Sequence, residues 1–365
     1  MEATSPLAAP VLVVGGGAVG FCCALRLLEA GFKDVTLIAA KFSGIPSKTT
    51  AGIFRPDYLG DTDPVRVVQW GLETRCHLQR LHRQLGSDSG IACVNHQEVY
   101  HLEGNPGADD PGPILPQVMP GFRPMTAFEL ATHCPSADGG WSYTSFVVEG
   151  SRYLPWLQER AESLGLRVIQ QKVEGGAPGT LAFCKAAAAI AERPTCAVTV
   201  VNACGVHGGP ECRNVRGQFV LVDAPYVKIA LGEYSPRDRT RPTYIIPRRG
   251  HVVLGCTYLY DDNDTEVRDA TSTDIVNRCA EFVPELKTAR VISEVVCLRP
   301  GRKEGVRLDT SARVGRFTVV SCYGHGGAGI SLAWGCAGEV AQRVGAAATA
   351  AAAMGAAAGT SASRL

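Results

Sequence analysis

The feature that most constrains the fold is a glycine-rich loop that lies between an apolar run and a helical pattern near the amino terminus. Residues 10–14 are continuously apolar, as in a strand that is buried on both faces. The loop of residues 15–20 has GxGxxG spacing, residues 18–30 follow a helical pattern, and residues 35–38 form a second apolar run. This βαβ unit predicts a dinucleotide site with the pyrophosphate at the helix N-terminus.

The end of the second apolar run departs from the usual dinucleotide pattern. An acidic residue commonly ends that strand and binds the ribose hydroxyls. Here Ile38 is followed by Ala39, Ala40 and Lys41. Either other groups hold the ribose or Lys41 binds a phosphate, so the loop alone does not identify the dinucleotide.

Composition limits the partners that this chain can have. The formal net charge of the 365 residues is +1 and the basic residues are scattered, so nucleic acid is not expected as a partner. The 14 cysteines are dispersed without CxxC spacing, which predicts reduced core thiols and no metal site, and we interpret the adjacent Cys22 and Cys23 as packing residues. No apolar run reaches the roughly 18 residues of a membrane helix. We therefore expect a soluble protein with a small-molecule ligand.

The remaining patterns predict two interleaved lobes. Helices are predicted at residues 63–86, 152–165, 180–193 and 331–344, and strands at residues 166–173, 197–201, 218–222, 244–246, 252–255 and 317–322. Residues 248–250 have the composition of a hairpin turn, which favours an antiparallel sheet over further βαβ units in residues 216–296.

Several stretches, taken in order, resemble the family of D-amino-acid oxidases and D-aspartate oxidases, and the likeness extends from about residue 10 to residue 345. They are VLVVGGGAVG (11–20), KTTAGIFRP (48–56), YLPWL (153–157), VNACGV (201–206), VRGQFVLVDAP (215–225), YIIP (244–247), CLRPGR (297–302) and YGHGGAGIS (323–331). Their order is more specific than any one of them. The chain departs from the family at residue 40, where Asp is common, in the longer connection at residues 180–197, and in the alanine-rich tail.

The resemblance implies an α/β fold with a Rossmann-like FAD-binding lobe and an interleaved antiparallel-sheet substrate lobe. We assign residues 1–56, 151–215 and 296–345 to a discontinuous FAD-binding domain. Residues 57–150 and 216–295 are assigned to the substrate domain, and residues 346–365 to a flexible tail.

The resemblance also implies that FAD is held noncovalently. The expected cofactor-binding residues are Gly15, Gly17, Ala18, Val19, Gly20, Lys41, Thr49, Thr50, Ala51, Gly52, Val173, Arg299, Gly326, Gly327, Ala328, Gly329, Ile330 and Ser331. The stretch YGHGGAGIS follows an apolar strand and precedes a helix, so its backbone N–H groups are suited to an anion or a polarised flavin carbonyl.

Four residues match the family's substrate site. Arg299 matches the arginine that binds the substrate carboxylate, and Tyr244 matches a tyrosine whose hydroxyl meets the same carboxylate. Tyr258 lies where yeast-type D-amino-acid oxidases carry a second tyrosine and aspartate oxidases an arginine, and Gly327 matches the glycine whose carbonyl receives the substrate amine. His325, beside the glycines, is interpreted as structural.

The implied reaction is hydride transfer from a neutral D-amino acid to FAD, followed by oxidation with oxygen to give hydrogen peroxide, a 2-oxo acid and ammonia. The nearest alternative is a D-aspartate oxidase that uses a cation from Arg237, Arg239 or Arg241 in a predicted lid. A nicotinamide dehydrogenase, another flavin amine oxidase such as glycine or sarcosine oxidase, and a flavin-binding protein without turnover are more distant.

The last three residues predict a cellular address. Ser363, Arg364 and Leu365 resemble the SKL signal that the peroxisomal import receptor reads. An oxidase that makes peroxide has a chemical reason to share a compartment with catalase. We therefore expect the peroxisomal matrix as the location, and a homodimer is left open.

Overall fold

The computed structural model describes residues 6–56, 59–193, 197–234 and 238–362. Its strands are β1 (Val11–Val14), β2 (Val35–Ala39), β3 (Ile91–Tyr100), β4 (Arg123–Pro124), β5 (Gly139–Val148), β6 (Arg167–Gln170), β7 (Val198–Asn202), β8 (Arg213–Asp223), β9 (Ala230–Glu233), β10 (Thr243–Arg248), β11 (His251–Gly255), β12 (Leu259–Tyr260), β13 (Arg290–Gly301), β14 (Arg307–Val314) and β15 (Phe317–Tyr323). Its α-helices are α1 (Ala18–Glu29), α2 (Pro46–Thr49), α3 (Pro64–Leu85), α4 (Leu115–Val118), α5 (Ala127–His133), α6 (Gly150–Ser163), α7 (Leu181–Ile190), α8 (Asp269–Phe282) and α9 (Gly329–Ala362).

The smaller sheet is the Rossmann-like sheet that the glycine loop predicts. Its strand order is β14-β15-β7-β1-β2-β6, and β1 lies between β2 and β7 with parallel pairing on both sides. Every residue of β1 and β2 is buried, as their continuous apolar sequences require. Helices α1, α3, α6 and α9 contribute to the core on one side of this sheet, and α7 packs on the other.

The larger sheet is mostly antiparallel, as predicted, and its order is β12-β8-β11-β10-β9-β3-β5-β4, with β13 also paired to β8. The exception is β3, which runs parallel to β9. Strand β13 pairs with β8 from Arg290 to Gly301. The predicted domain boundary at residue 296 falls inside this strand, and the division into domains stays a prediction.

The last helix is longer than the sequence pattern predicts. Helix α9 runs on to Ala362, whereas the sequence pattern ended it at residue 344. Alanine has the highest helix propensity of the common residues, so an alanine-rich segment extends a helix that tertiary packing has already started. Ser363, Arg364 and Leu365 lie outside the described residues. Within the described ranges, no helix combines the length and the hydrophobicity that a bilayer crossing requires.

Candidate active site

A large cavity opens where the two sheets meet, and its volume is about 1030 Å³. Most of the predicted site residues line it. They are Gly15, Gly17, Ala18, Val19, Lys41, Thr49, Thr50, Ala51, Gly52, Val173, Tyr244, Tyr258, Arg299, Gly326, Gly327, Gly329 and Ile330. The fold thus brings the predicted cofactor residues and the predicted substrate residues to one cavity, which has the size of sites that bind large ligands.

The first glycine loop forms one end of the cavity. Gly15 has a φ of +134°, and a Cβ atom added to it would lie 2.1 Å from the carbonyl oxygen of Ala203. A Cβ added to Gly20 would lie 1.9 Å from the carbonyl oxygen of Gly15, so this residue allows the close turn and does not itself line the cavity. The N-terminus of α1 consequently faces open space that suits a pyrophosphate.

The second glycine-rich turn leads into α9 beside the same cavity. Two of its predicted cofactor residues, Ala328 and Ser331, do not line the cavity. The backbone N–H of Ala328 donates to the carbonyl oxygen of His325 at 2.9 Å, and the hydroxyl of Ser331 accepts a hydrogen bond from the backbone N–H of Arg55 at 2.9 Å. Both residues therefore support the turn from behind.

Beside the first glycine loop, the cavity extends along the carboxyl ends of β2 and β6, the next two parallel strands of the sheet. Ala40 and Lys41 line it after β2, without the acid that dinucleotide sites usually have there. Glu174, which follows the adjacent parallel strand β6, lines the same region and forms an ion pair with Lys172 at 2.9 Å. The sequence did not single out Glu174, because its nearness to Ala40 depends on strand pairing. It is a carboxylate that borders this part of the cavity.

Arg299 lies on β13 at the substrate end of the cavity. Its Nη1 donates to the carbonyl oxygen of Thr257 at 3.0 Å, and its guanidinium lies 5.1 Å from the ring centre of Tyr258. Gly217 on β8 makes room for it, since a Cβ added there would lie 2.2 Å from that Nη1. The guanidinium is thus held in place by backbone and ring contacts, and it faces the cavity as a fixed cation.

Two tyrosines lie beside this cation. Tyr244 on β10 is buried and its ring stacks on that of Tyr234, with 6.1 Å between ring centres. Burial is the main cause that raises the pKa of Tyr244 and of Tyr258 above the ordinary value. Both hydroxyls are therefore neutral hydrogen-bond donors at physiological pH.

A buried ion pair that sequence reasoning missed completes this wall. Arg55 lines the cavity, and its Nε and Nη2 donate to the two carboxylate oxygens of Glu98 at 3.0 and 2.7 Å. The hydroxyl of Tyr143 donates to the same carboxylate at 2.9 Å, and the guanidinium lies 4.4 Å from the ring centre of Tyr234. Arg55 stands in the recognised stretch of residues 48–56, but no sequence signal links it to Glu98 on β3.

The predicted lid arginines that the structure describes do not enter the cavity. Arg241 forms an ion pair with Asp274, and Arg239 is exposed. Arg237 lies outside the described residues. No cluster of His, Cys, Asp or Glu side chains within the described ranges is placed to hold a metal ion.

Comparison with known proteins assigns the family. The family model described as FAD dependent oxidoreductase matches residues 10–343. The chain belongs to this family. It is 33% identical over 347 residues to the D-aspartate oxidase of Homo sapiens, covering 92% of this chain and 94% of the relative. It is 33% identical over 351 residues to the D-amino-acid oxidase of Rubrobacter xylanophilus, covering 93% and 97%.

A solved structure shares the fold. A glycine oxidase structure from Geobacillus kaustophilus matches with a TM-score of 0.70 and 19% identity, over 92% of this chain and 94% of that one. The protein is an FAD-dependent oxidoreductase, and FAD is its cofactor. The glycine loop and the volume of the cavity fit a dinucleotide. The family match supports FAD as that dinucleotide and gives no support to a nicotinamide cofactor.

Proposed function

We propose that the protein is a D-amino-acid oxidase that prefers neutral side chains. FAD, when bound, accepts a hydride from the substrate Cα and passes the electrons to oxygen, giving hydrogen peroxide. The observation that carries the proposal is a fixed guanidinium, that of Arg299, in the cavity that also holds the glycine loop. A carboxylate bound there lies in the same enclosed space as the cofactor site, which is what the reaction needs.

The residues at the substrate end have distinct tasks. The planar guanidinium of Arg299 offers two parallel donors to an α-carboxylate, and the neutral hydroxyls of Tyr244 and Tyr258 are further donors beside it. The backbone of Gly327 lines the cavity and supplies an acceptor for the amine. Together these groups recognise an amino acid through its α-carboxylate and amine, so selectivity between amino acids depends on the wall that meets the side chain.

We assign this wall to Arg55, Glu98 and Tyr258, and the charges of Arg55 and Glu98 compensate each other. The charge of Arg55 is paired with Glu98, and both side chains are buried, with 6% and 9% exposed. Tyr258 adds a ring and a neutral hydroxyl. A second substrate carboxylate would be buried against a pair whose net charge is zero, and burying an uncompensated charge is costly. Neutral D-amino acids are therefore favoured.

D-aspartate oxidase is the second candidate, and two observations favour it. The human relative at 33% identity carries that name, and Arg55 is a guanidinium that borders the cavity. Arg237, in the predicted lid, stays a candidate cation whose position is outside the described residues.

A peroxide assay on the FAD-loaded protein separates the candidates. We expect D-alanine and D-methionine to give higher kcat/KM than D-aspartate, and the L-isomers to give no peroxide. A preference for D-aspartate that disappears in Arg55→Gln or Arg237→Ala would make the protein an aspartate oxidase, and Arg241→Ala, whose cation pairs with Asp274 outside the cavity, is the control. Failure of every D-amino acid to yield peroxide would refute the enzyme proposal and leave a flavin-binding protein without turnover.

The peroxisomal address stays a prediction. Its support is the sequence Ser363, Arg364, Leu365 together with the peroxide that the proposed reaction releases. A fluorescently tagged chain with these residues intact is expected to co-localise with catalase, and replacing Leu365 by Asp is expected to disperse it. A diffuse distribution of the unaltered chain would contradict the address. A homodimer likewise stays a possibility for sedimentation analysis to decide.

A further inference from the structure

Arg248 of the larger sheet is hydrogen-bonded to the backbone of a segment that lines the active-site cavity. It is the last residue of β10 and pairs with His251 across the hairpin to β11. Its Nε donates to the carbonyl oxygen of Ala51 at 3.1 Å, and its Nη2 donates to the carbonyl oxygen of Thr50. Thr50 and Ala51 line the cavity, whereas Arg248 does not. The guanidinium therefore lies behind this segment, on the side away from the cavity.

These two bonds fix the direction of two backbone N–H groups. The peptide bonds between residues 50 and 52 are trans, and in a planar trans peptide the C=O and N–H groups point in opposite directions. Because the carbonyls of Thr50 and Ala51 point to Arg248, the N–H groups of Ala51 and Gly52 point to the side of the cavity, which both residues line. Successive N–H groups in this arrangement suit an oxygen with negative charge.

The segment is also held from a second direction. The backbone N–H of Val148 on β5 donates to the carbonyl oxygen of Gly52 at 2.7 Å, and that of Phe54 donates to the carbonyl oxygen of Phe146 at 2.7 Å. Gly52 has a φ of +84°, and a Cβ added to it would lie 2.9 Å from Nη2 of Arg248 and 2.2 Å from the carbonyl oxygen of Val148. The glycine thus admits both contacts, and the two N–H groups are preorganised.

The course of the chain indicates which part of FAD these donors serve. The hydroxyl of Ser47 on α2 accepts a hydrogen bond from the backbone N–H of Ala18 at 3.1 Å, beside the glycine loop that is predicted to bind the pyrophosphate. Four residues later, Ala51 packs against the hydrophobic cluster that contains Tyr244, at the substrate end. The donors of Ala51 and Gly52 consequently lie at the end where the flavin ring has to meet the substrate.

We propose that Arg248 is a positioning residue for the flavin. It directs the N–H groups of Ala51 and Gly52 into the cavity, so that FAD binds more tightly and reduced FAD gains more from these donors than oxidised FAD does. The physical reason is that a flavin becomes more negative at its ring oxygens on reduction, and preorganised donors stabilise that charge. The inference needs only the cofactor, so it does not depend on which substrate the enzyme oxidises.

The first measurement is the affinity for oxidised FAD. FAD-loaded protein is diluted, and the flavin fluorescence at equilibrium gives Kd. We expect Kd to rise about tenfold in Arg248→Met, roughly the effect of one hydrogen bond to a charged group, and to rise less in Arg248→Lys, which keeps the charge without the planar fork. The matched control is Arg249→Met at the next residue, because Arg249 is exposed and pairs with Asp88. An unchanged Kd in a folded Arg248→Met would overturn the proposal.

The second measurement separates positioning of the flavin from support of the fold. Spectroelectrochemical titration of the FAD-loaded variants gives the midpoint potential of the bound flavin. We expect a fall of about 30 mV in Arg248→Met, equivalent to a tenfold loss of preference for reduced over oxidised FAD in a two-electron couple. A merely structural role weakens both forms equally, so an unchanged potential would overturn the proposal. If Arg248→Met does not fold, Arg248→Lys decides, and a Kd and potential equal to those of the unaltered chain would overturn it.

Discussion

At the scale of single residues, the candidate site depends on side chains that are held by their neighbours. Arg299 is positioned by the carbonyl of Thr257 and by space that Gly217 leaves open. Gly255 has the same relation to Tyr244, because a Cβ added to Gly255 would lie 2.0 Å from the Tyr244 ring. Two glycines on strands, which by themselves weaken a strand, therefore make room for the two side chains that we propose to bind the substrate carboxylate.

The first prediction concerns Arg299. If it makes two charge-assisted bonds to the substrate carboxylate, Arg299→Ala should cost roughly 3–6 kcal/mol, or about 10²–10⁴ in kcat/KM, for every D-amino acid alike. Steady-state kinetics with D-alanine and D-methionine measure this loss. The matched control is Arg290→Ala on the same strand, because Arg290 pairs with Asp223 at the surface and should leave the kinetics unchanged. Similar losses in both variants would contradict the assignment.

The second prediction concerns the charge of the side-chain wall. Glu98→Gln removes the buried carboxylate that pairs with Arg55 and makes the wall more positive, so the ratio of kcat/KM for D-aspartate to that for D-alanine should rise about tenfold, equivalent to roughly 1.4 kcal/mol. Arg55→Gln leaves the carboxylate instead, and the same ratio should fall. The ratio cancels any change in the amount of folded enzyme. Shifts of the same sign in both variants would show that the pair does not set the charge preference.

At the scale of elements, the sequence predicted those parts whose hydrophobic pattern matches their burial. Strand β1, helix α1 and the N-terminus of α3, where Asp63 caps the helix and Pro64 begins it, are confirmed. Strand β3 escaped prediction because it buries His96, Gln97 and Glu98, which look like surface residues until the partner Arg55 is known. Helix α9 was predicted, but its extension beyond residue 344 escaped because small residues carry little pattern. The sequence alone does not contain this tertiary information. It does not show which polar groups pair or which helices are extended by packing.

The third prediction belongs to the packing of α3 against α9. His77 of α3 stacks on Trp334 of α9 with 3.5 Å between ring centres, and burial, with the charges of Arg80 and Arg26, lowers its pKa to about 3. The unfolded chain binds a proton near the ordinary pKa of about 6.5, so the folded state loses stability as pH falls from about 6.5 to 3.

This loss is on the order of 4 kcal/mol and is absent from a variant without the imidazole. Urea unfolding at several pH values is therefore expected to show a shallower decline below pH 6.5 for His77→Gln than for the unaltered chain. His101→Gln is the control, since His101 is partly exposed and pairs with Glu233. An unchanged slope in His77→Gln would show that His77 does not contribute to the acid sensitivity.

At the scale of the whole molecule, the cavity joins the two sheets. Its lining includes the end of β1 in the smaller sheet and Arg299 on β13 in the larger one. A ligand that spans the cavity therefore contacts both sheets at once and binds the folded protein far better than the unfolded chain.

The fourth prediction follows from this geometry. The purified protein is expected to be yellow and to release FAD on acid or heat treatment. FAD at one hundred times its dissociation constant should stabilise the apoprotein by about 2.7 kcal/mol, seen as a higher Tm in calorimetry. FMN, which lacks the second phosphate and the adenosine, should stabilise it much less at equal concentration. Equal shifts with FMN, or a colourless protein that binds NADH, would contradict the cofactor site.

The strand order of the smaller sheet also bears on synthesis. Strand β1 needs β7 as a neighbour, and β7 in turn needs β15, yet these strands lie near residues 11, 198 and 317. On a ribosome β1 and β2 emerge long before β7 and β15, so one edge of β1 and much of its apolar surface stay uncovered. Contacts between such distant segments form slowly, and exposed strands aggregate while they wait. The nascent chain is thus a natural client for chaperones until its last third has been translated.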